Sequence, residues 1–305
     1  MPPARLVAAA LVAAPLSVLA AGQSAPPAPG IARVVVNVAD AAPVINLTPD
    51  DFEIWSDDTP VAVRHLSSQP DQLNVLLLVD ASYSALGWTD QAADSLTDLF
   101  PAIDAGLIAN LLPIDRLGFG VFGRQIKLGP AFSADPMVLA TLEHDVLKMD
   151  EHDRYGPSPI WDAVDAGVDS LAPRTGTRAV ILMTDGRATG NRKSLSAVIE
   201  HAMRADVSIS IVGRGVFYLA PDSTANAPSV NLKLMSDATG GVFPDKSFVA
   251  LNVLLGRLLN QLHHTYTIEF APPVADGAPH HLRVHVKKIG AVVHVRNMYW
   301  VERTP

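Results

Sequence analysis

Two kinds of hydrophobic pattern run along the chain, and they occupy different stretches. Near the start, Ala32–Asp40 alternates apolar and polar residues, with Val34, Val36 and Val38 on one face, as a strand with one dry side does. Residues 52–55 and 61–66 alternate in the same way, with a turn at 57–60 between them. The far end matches: His264, Tyr266, Ile268 and Phe270 alternate with polar residues, then come Leu282, Val284 and Val286, and last Val293, Val295, Tyr299 and Val301. Each segment is too short to stand alone. The pattern therefore predicts that the terminal strands pair into a small antiparallel sheet, bringing the two ends of the chain together.

Between these ends the pattern changes to continuous apolar runs separated by segments of helical period. Residues 73–79, 116–122, 178–184 and 207–212 read as buried strands, with a shorter strand at 125–128. Residues 90–112 are amphipathic, Ser194 caps a helix whose buried stripe is Leu195, Val198, Ile199 and Ala202, and 251–262 form a strongly apolar final helix. Buried strands alternating with helices predict an α/β fold, a central, mostly parallel sheet covered on both faces. The expected organisation is a linker at 22–31, N-terminal strands of the small sheet at 32–70, the α/β domain at 71–262, and the C-terminal strands at 263–303.

Composition sharpens this picture. A chain of 305 residues with 49% hydrophobic content can bury a core without covalent staples. With 31 acidic against 23 basic residues, a net charge of -8 and no long basic run, nucleic acid is not an expected partner. Residues 1–21 have the layout of a secretory signal peptide: Arg5, an apolar run from 6 to 21 broken by Pro15, and small residues at Ala20, Ala21 and Gly22. The expectation is an exported protein, periplasmic or extracellular, without a transmembrane span in the mature chain; an uncleaved N-terminal anchor is the alternative. Zero cysteines exclude disulfides, a thioether lipid anchor, thiol catalysis and cysteine-type zinc sites.

Three short motifs carry candidate chemistry. The first buried strand ends in Asp80-Ala81-Ser82-Tyr83-Ser84. A carboxylate and two hydroxyls at alternating positions suit a hard cation, which prefers oxygen ligands, although serines after a strand also simply begin turns. A later strand ends in Met183-Thr184-Asp185-Gly186, which is either a second strand-end carboxylate or a plain Asp-Gly turn. Ser158-Pro159 precedes a helix with the stripe Ile160, Val164, Val168 and Leu171; its hydroxyl can cap that helix or reach a cation. In open parallel sheets, ligands bind beyond the carboxyl ends of the strands, which is where the Asp80 and Asp185 motifs are expected, with Ser158 at a helix N-terminus within reach of a shared loop.

Asp-x-Ser-x-Ser after the first strand, a hydroxyl residue before Ile160-Trp161-Asp162-Ala163, and Thr184-Asp185-Gly186 together resemble the metal-ion-dependent adhesion site of von Willebrand factor type A domains. The segments Leu47-Thr48-Pro49-Asp50-Asp51-Phe52-Glu53-Ile54, Asp115-Arg116-Leu117 and Thr239-Gly240-Gly241 extend the resemblance to the exported bacterial group labelled VWFA-related. The resemblance implies a Rossmann-like domain with flanking strands. It implies Asp80, Ser82, Ser84 and Ser158 as metal ligands, with Asp185 completing the site directly or through water. Mg²⁺ is the implied ion, with Mn²⁺ and Ca²⁺ as alternatives, and the implied partner is a protein that presents an Asp or Glu carboxylate. Two departures from the family pattern are Ser158, which stands where the family has threonine, and Tyr83 with Ala85 around the first loop.

The expectation is a non-enzymatic binding module. The chain has no Gly-x-Ser-x-Gly elbow, no His-Glu-x-x-His helix and no Walker loop. A metal hydrolase would need a nearby base, for which Glu151-His152-Asp153 is the candidate and a solvated turn the simpler reading. His281, His285 and His294 could build a zinc or copper site, but alternation with a dry face explains them more simply as solvent-facing residues. A scaffold with a degenerate metal site is the other alternative function.

Overall fold

The computed structural model describes residues 30–40, 42–68, 71–86, 99–148, 151–154, 156–213, 228–243 and 250–301. The expected signal segment, most of the linker and residues 90–98 of the amphipathic stretch lie outside them. Fourteen strands are formed among the described residues: β1 (Ala32–Asp40), β2 (Ala42–Pro43), β3 (Phe52–Ser56), β4 (Thr59–Val61), β5 (Val63–Ser67), β6 (Leu73–Asp80), β7 (Arg116–Phe122), β8 (Ile126–Leu128), β9 (Thr177–Thr184), β10 (Val207–Gly213), β11 (Thr265–Phe270), β12 (Pro279–Val286), β13 (Val292–His294) and β14 (Met298–Trp300).

The central sheet has the order β10-β9-β6-β7-β8, with β6, β7, β9 and β10 parallel and β8 antiparallel at one edge. Every residue of β6 is buried, because successive side chains enter opposite layers. Leu73, Val75, Leu77 and Val79 pack with the helices Phe100–Gly106, Pro136–Leu147 and Leu251–His263. Leu76 and Leu78 face the other layer, built from Ile160–Leu171, Leu195–Arg204 and Pro228–Thr239. The Ser194 hydroxyl accepts from Ala197 N and starts its helix as the sequence predicts. From β6 the chain goes first to β7 on one side and later to β9 on the other, so strand order reverses at β6. That reversal opens a crevice at the carboxyl ends of β6 and β9.

The terminal strands do pair antiparallel, and β1 runs along β11 from Ala32↔Phe270 to Asn37↔Thr265. They are shared between two facing sheets, β13-β1-β11-β5 and β14-β12-β3-β4. One core joins these sheets: Val34, Val36 and Val38 meet Ile54, Val284 and Tyr299. Edge-to-face contacts of Phe52 with Tyr266 (5.5 Å) and Phe270 with Tyr299 (5.2 Å) lock them together. The segment before β14 fastens this sandwich to the central domain. Arg296 Nη1 donates to Asp206 Oδ1 at 2.6 Å, Arg296 Nη2 donates to the Arg33 carbonyl at 2.6 Å, and Asn297 N donates to the Ala238 carbonyl at 3.0 Å. Close approach requires Gly240, at φ +75°, and Gly241, where a Cβ would stand 1.9 Å from the Ile209 carbonyl oxygen.

Candidate metal site

Asp80 is the last residue of β6 and is sealed from solvent. Parallel pairing of Val79 with Met183 sets it beside Thr184, the last residue of β9. The consequence is a short contact: Thr184 Oγ1 donates to Asp80 Oδ2 at 2.6 Å. Ser158 Oγ donates to the same oxygen at 3.1 Å, and Ser82 N donates to Oδ1 at 3.0 Å. Ser82 Oγ lies 3.4 Å from Ser84 Oγ, with Ser82 buried and Ser84 half-buried. The carboxyl ends of β6 and β9, together with the segment before Ile160–Leu171, thus bring Asp80, Ser82, Ser158 and Thr184 to one polar crevice, with Ser84 at its edge.

Asp185 follows directly and is 1% exposed. Its Oδ1 accepts from Arg187 N at 3.0 Å, but its Oδ2 is buried without a hydrogen-bond partner. The half-exposed Arg187 guanidinium approaches that oxygen only to 3.9 Å. Burial raises the Asp80 carboxyl above its ordinary value, hydrogen bonds from Ser82 and Thr184 oppose this, and the negative charge of Asp185 raises it further. Two neighbouring carboxylates in a dry crevice repel one another unless a cation comes between them.

The two sequence readings of Ser158 separate in the structure. It does not cap the helix Ile160–Leu171; Pro159 occupies the cap position and no side chain of that residue accepts a bond there. Instead Asn191 Oδ1 accepts from Trp161 N at 2.8 Å, relieving one of the helix's unpaired amides. Thr189 grips Ser158 from both sides, since its Oγ1 accepts from Ser158 N at 2.9 Å and its N donates to the Ser158 carbonyl at 2.8 Å. The Ser158 hydroxyl is left free to serve Asp80. Its predicted buried stripe, Ile160, Val164, Val168 and Leu171, is fully buried behind it.

Sequence reasoning missed Thr184, Arg187, Thr189 and Asn191. Thr184 stood in the quoted Thr-Asp-Gly, and matching the carboxyl ends of the two buried strands would have set it beside Asp80. The Tyr83 side chain lies outside the described residues. Elsewhere, Glu151–Arg154 forms one helical turn with His152 exposed. His281 and His285 are exposed on β12, while His294 belongs to β13 in the other sheet. Among the described residues no group of three or more His, Asp and Glu side chains could hold a metal. The crevice differs in kind, with two carboxylates and a surplus of hydroxyls. Oxygen-only donors and an unpartnered buried carboxylate oxygen fit a hard divalent cation.

No family model and no curated protein matches the sequence. Among solved structures, the chain is similar to an aerotolerance-related membrane protein from Bacteroides fragilis, at 15% identity over 62% of this chain and 98% of that one, with a TM-score of 0.48. It is similar to a conserved hypothetical protein, BatB, from Bacteroides thetaiotaomicron, at 17% identity over 62% and 98%, with a TM-score of 0.43. It is also similar to a von Willebrand factor type A protein from Catenulispora acidiphila, at 11% identity over 92% and 74%, with a TM-score of 0.48. In this chain the central sheet has the order β10-β9-β6-β7-β8 with one antiparallel edge, and Asp80, Ser158 and Asp185 gather where that order reverses. That topology is a Rossmann-like α/β domain with a mostly parallel sheet, flanked by the antiparallel sheets of the terminal strands.

Proposed function

We propose that this crevice is a metal-ion-dependent adhesion site through which the protein binds a partner's Asp or Glu carboxylate, without catalysing a reaction. The observation that carries the reading is the Asp185 Oδ2 oxygen, buried without a hydrogen-bond donor, met only by the Arg187 guanidinium at 3.9 Å, and close enough to the buried Asp80 for their charges to interact. A buried carboxylate oxygen without a hydrogen bond is costly, and a cation is one remedy. Asp80 and the hydroxyls of Ser82, Ser84 and Ser158 would hold the ion, with Asp185 reaching it directly or through water. Mg²⁺ suits this donor set, as do Mn²⁺ and Ca²⁺. A bound ion would supply net positive charge, because hydroxyl ligands are neutral, and a coordination position for an incoming carboxylate. The chain's own part is to orient donors: Thr189 fixes Ser158, and the β6–β9 register fixes Asp80 against Thr184.

One observation favours the scaffold reading. Asp80 already receives hydrogen bonds from Thr184, Ser158 and Ser82. Capture from a cell-envelope extract separates the two, using wild type and Asp80→Ala in Mg²⁺ and in EDTA. Adhesion predicts a protein retained by wild type in Mg²⁺ alone; equal retention under all four conditions would leave only a scaffold. A hydrolase would show ester or phosphate turnover that Asp185→Ala abolishes.

The proposal includes export. Residues 1–21 would be the signal peptide and 22–31 a linker, followed by 32–70 and 263–303 as one sandwich unit around the 71–262 domain. No helix among the described residues is long and apolar enough to cross a membrane. N-terminal sequencing of the protein recovered from its host would test the cleavage.

A further inference from the structure

At the opposite end of the central sheet, a groove of about 440 Å³ runs between the start of β9 and the sandwich. Five arginines line it, Arg33, Arg174, Arg178, Arg204 and Arg296, against two acids, Asp71 and Asp206. That concentration is unexpected in a chain with 31 acidic and 23 basic residues.

The existing partners do not balance these charges evenly. Arg33 pairs with Glu269 at 2.6 Å, and Arg204 pairs with Glu200 at 3.0 Å while its guanidinium lies 4.5 Å over the Trp300 ring. Asp206 is shared by two arginines, Arg296 at 2.6 Å and Arg178 at 3.7 Å. Arg174 lies on the Phe132 ring at 3.7 Å, and no carboxylate pairs with it among the described residues. Hydrogen bonding is also incomplete. Arg174 Nε, Arg178 Nε, Arg296 Nε and Trp300 Nε1 are all buried donors without an acceptor, and all four residues line this one groove. Leaving such donors unmet is unfavourable. Small rotations of these side chains toward an acceptor in the groove would meet the need.

We infer that this groove between the central domain and the sandwich is a second binding site, specific for a multiply charged oxyanion of the phosphate or phosphate-ester class. Guanidinium forks match both carboxylate and phosphate. Here, however, the arginines come from separate segments: β1, the turn after Ile160–Leu171, the start of β9, the end of Leu195–Arg204 and the loop before β14. A tetrahedral anion offers acceptor oxygens in all those directions, whereas a carboxylate offers one planar edge. The site is independent of the metal crevice, which lies beyond the other ends of the same strands.

Calorimetric titration of the full chain in EDTA with phosphate, pyrophosphate and acetate tests this, alongside co-sedimentation with phosphatidylcholine vesicles with and without phosphatidic acid. The expected result is saturable 1:1 binding of phosphate or pyrophosphate and none of acetate. Arg174→Gln should weaken it at least ten-fold and Arg204→Gln at least three-fold. Lys127→Gln, on β8 at the far edge of the sheet, should change it less than two-fold. Arg204 is half exposed, so its variant keeps the test decisive if Arg174→Gln does not fold. Binding confined to phosphatidic acid vesicles, and lost in Arg204→Gln, would support the site and identify a lipid headgroup as its source. Absence of binding to every phosphate probe, acetate binding as tight as phosphate, or unchanged affinity in both arginine variants would overturn it.

Discussion

Two buried aspartates at opposite ends of the same sheet have opposite surroundings. Asp115, just before β7, is fully sealed; its Oδ1 accepts from Leu73 N at 3.3 Å, and its Oδ2 accepts from Leu112 N at 2.7 Å and meets His263 Nε2 at 2.7 Å. Asp185, just after β9, is as deeply buried but keeps an oxygen with no donor. The first carboxylate staples β6, the preceding loop and the final helix together. The second has no such task, and its unmet oxygen makes it expensive for the fold alone. Burial is the same for both; what separates them is the completeness of their hydrogen bonding, and the proposed metal role rests on that difference.

Substituting each aspartate should break this contrast in opposite ways. The largest effect is expected for Asp115→Ala, which strands two amides and an imidazole: a loss of about 3–5 kcal/mol in chemical denaturation, the same with or without Mg²⁺. For Asp185→Asn the account predicts a crossover. In EDTA the variant should be at least as stable as wild type, because a buried repulsion is relieved. With Mg²⁺ at a hundredfold over the wild-type Kd, wild type should gain about 2.7 kcal/mol and the variant about 1.4 kcal/mol or less. Asp185→Asn that destabilised equally in both buffers would place Asp185 with Asp115.

Ser158 sharpens the comparison further. Ser158→Ala should cost about 1 kcal/mol through the lost bond to Asp80 and weaken Mg²⁺ binding, while Ser158→Thr retains the hydroxyl and should stay within about 0.5 kcal/mol. A capping residue would instead lose helix stability without altering ion affinity.

The smallest effect concerns the sandwich, where His280 is held between Asp57 at 2.6 Å and Asp276 at 3.0 Å. The hydrogen bond to Asp57 raises the imidazole above its ordinary 6.5, burial opposes this, and the bond to Asp276 raises it again. Its contribution is therefore complete below pH 6.5 and lost as pH rises through the raised value. The melting-temperature gap between wild type and His280→Gln should be widest near pH 6 and narrow toward pH 9.

Much of this was legible in the sequence. The apolar run from Val75 to Val79 in β6 announced a strand buried on both faces, alternation marked the dry faces of β1, β11 and β12, and the Ile160 stripe and the Ser194 cap were found as read. What could not be read depends on distant partners. A dry face does not reveal which strand it pairs with, so the division of terminal strands into two facing sheets needed the structure. A serine before a helix has the same local sequence whether it caps or donates elsewhere; Asn191 and Thr189, some thirty residues away, decided the matter. The arginine groove draws on positions from 33 to 296 and has no local signature at all.

The most direct test is a calorimetric titration of Mg²⁺, then Mn²⁺, into the full chain and into Asp185→Asn and Asp80→Ala. The account predicts one saturable site in wild type, weakened at least ten-fold by Asp185→Asn and lost in Asp80→Ala. No saturable binding of either ion to wild type, or the same affinity in all three proteins, would contradict it.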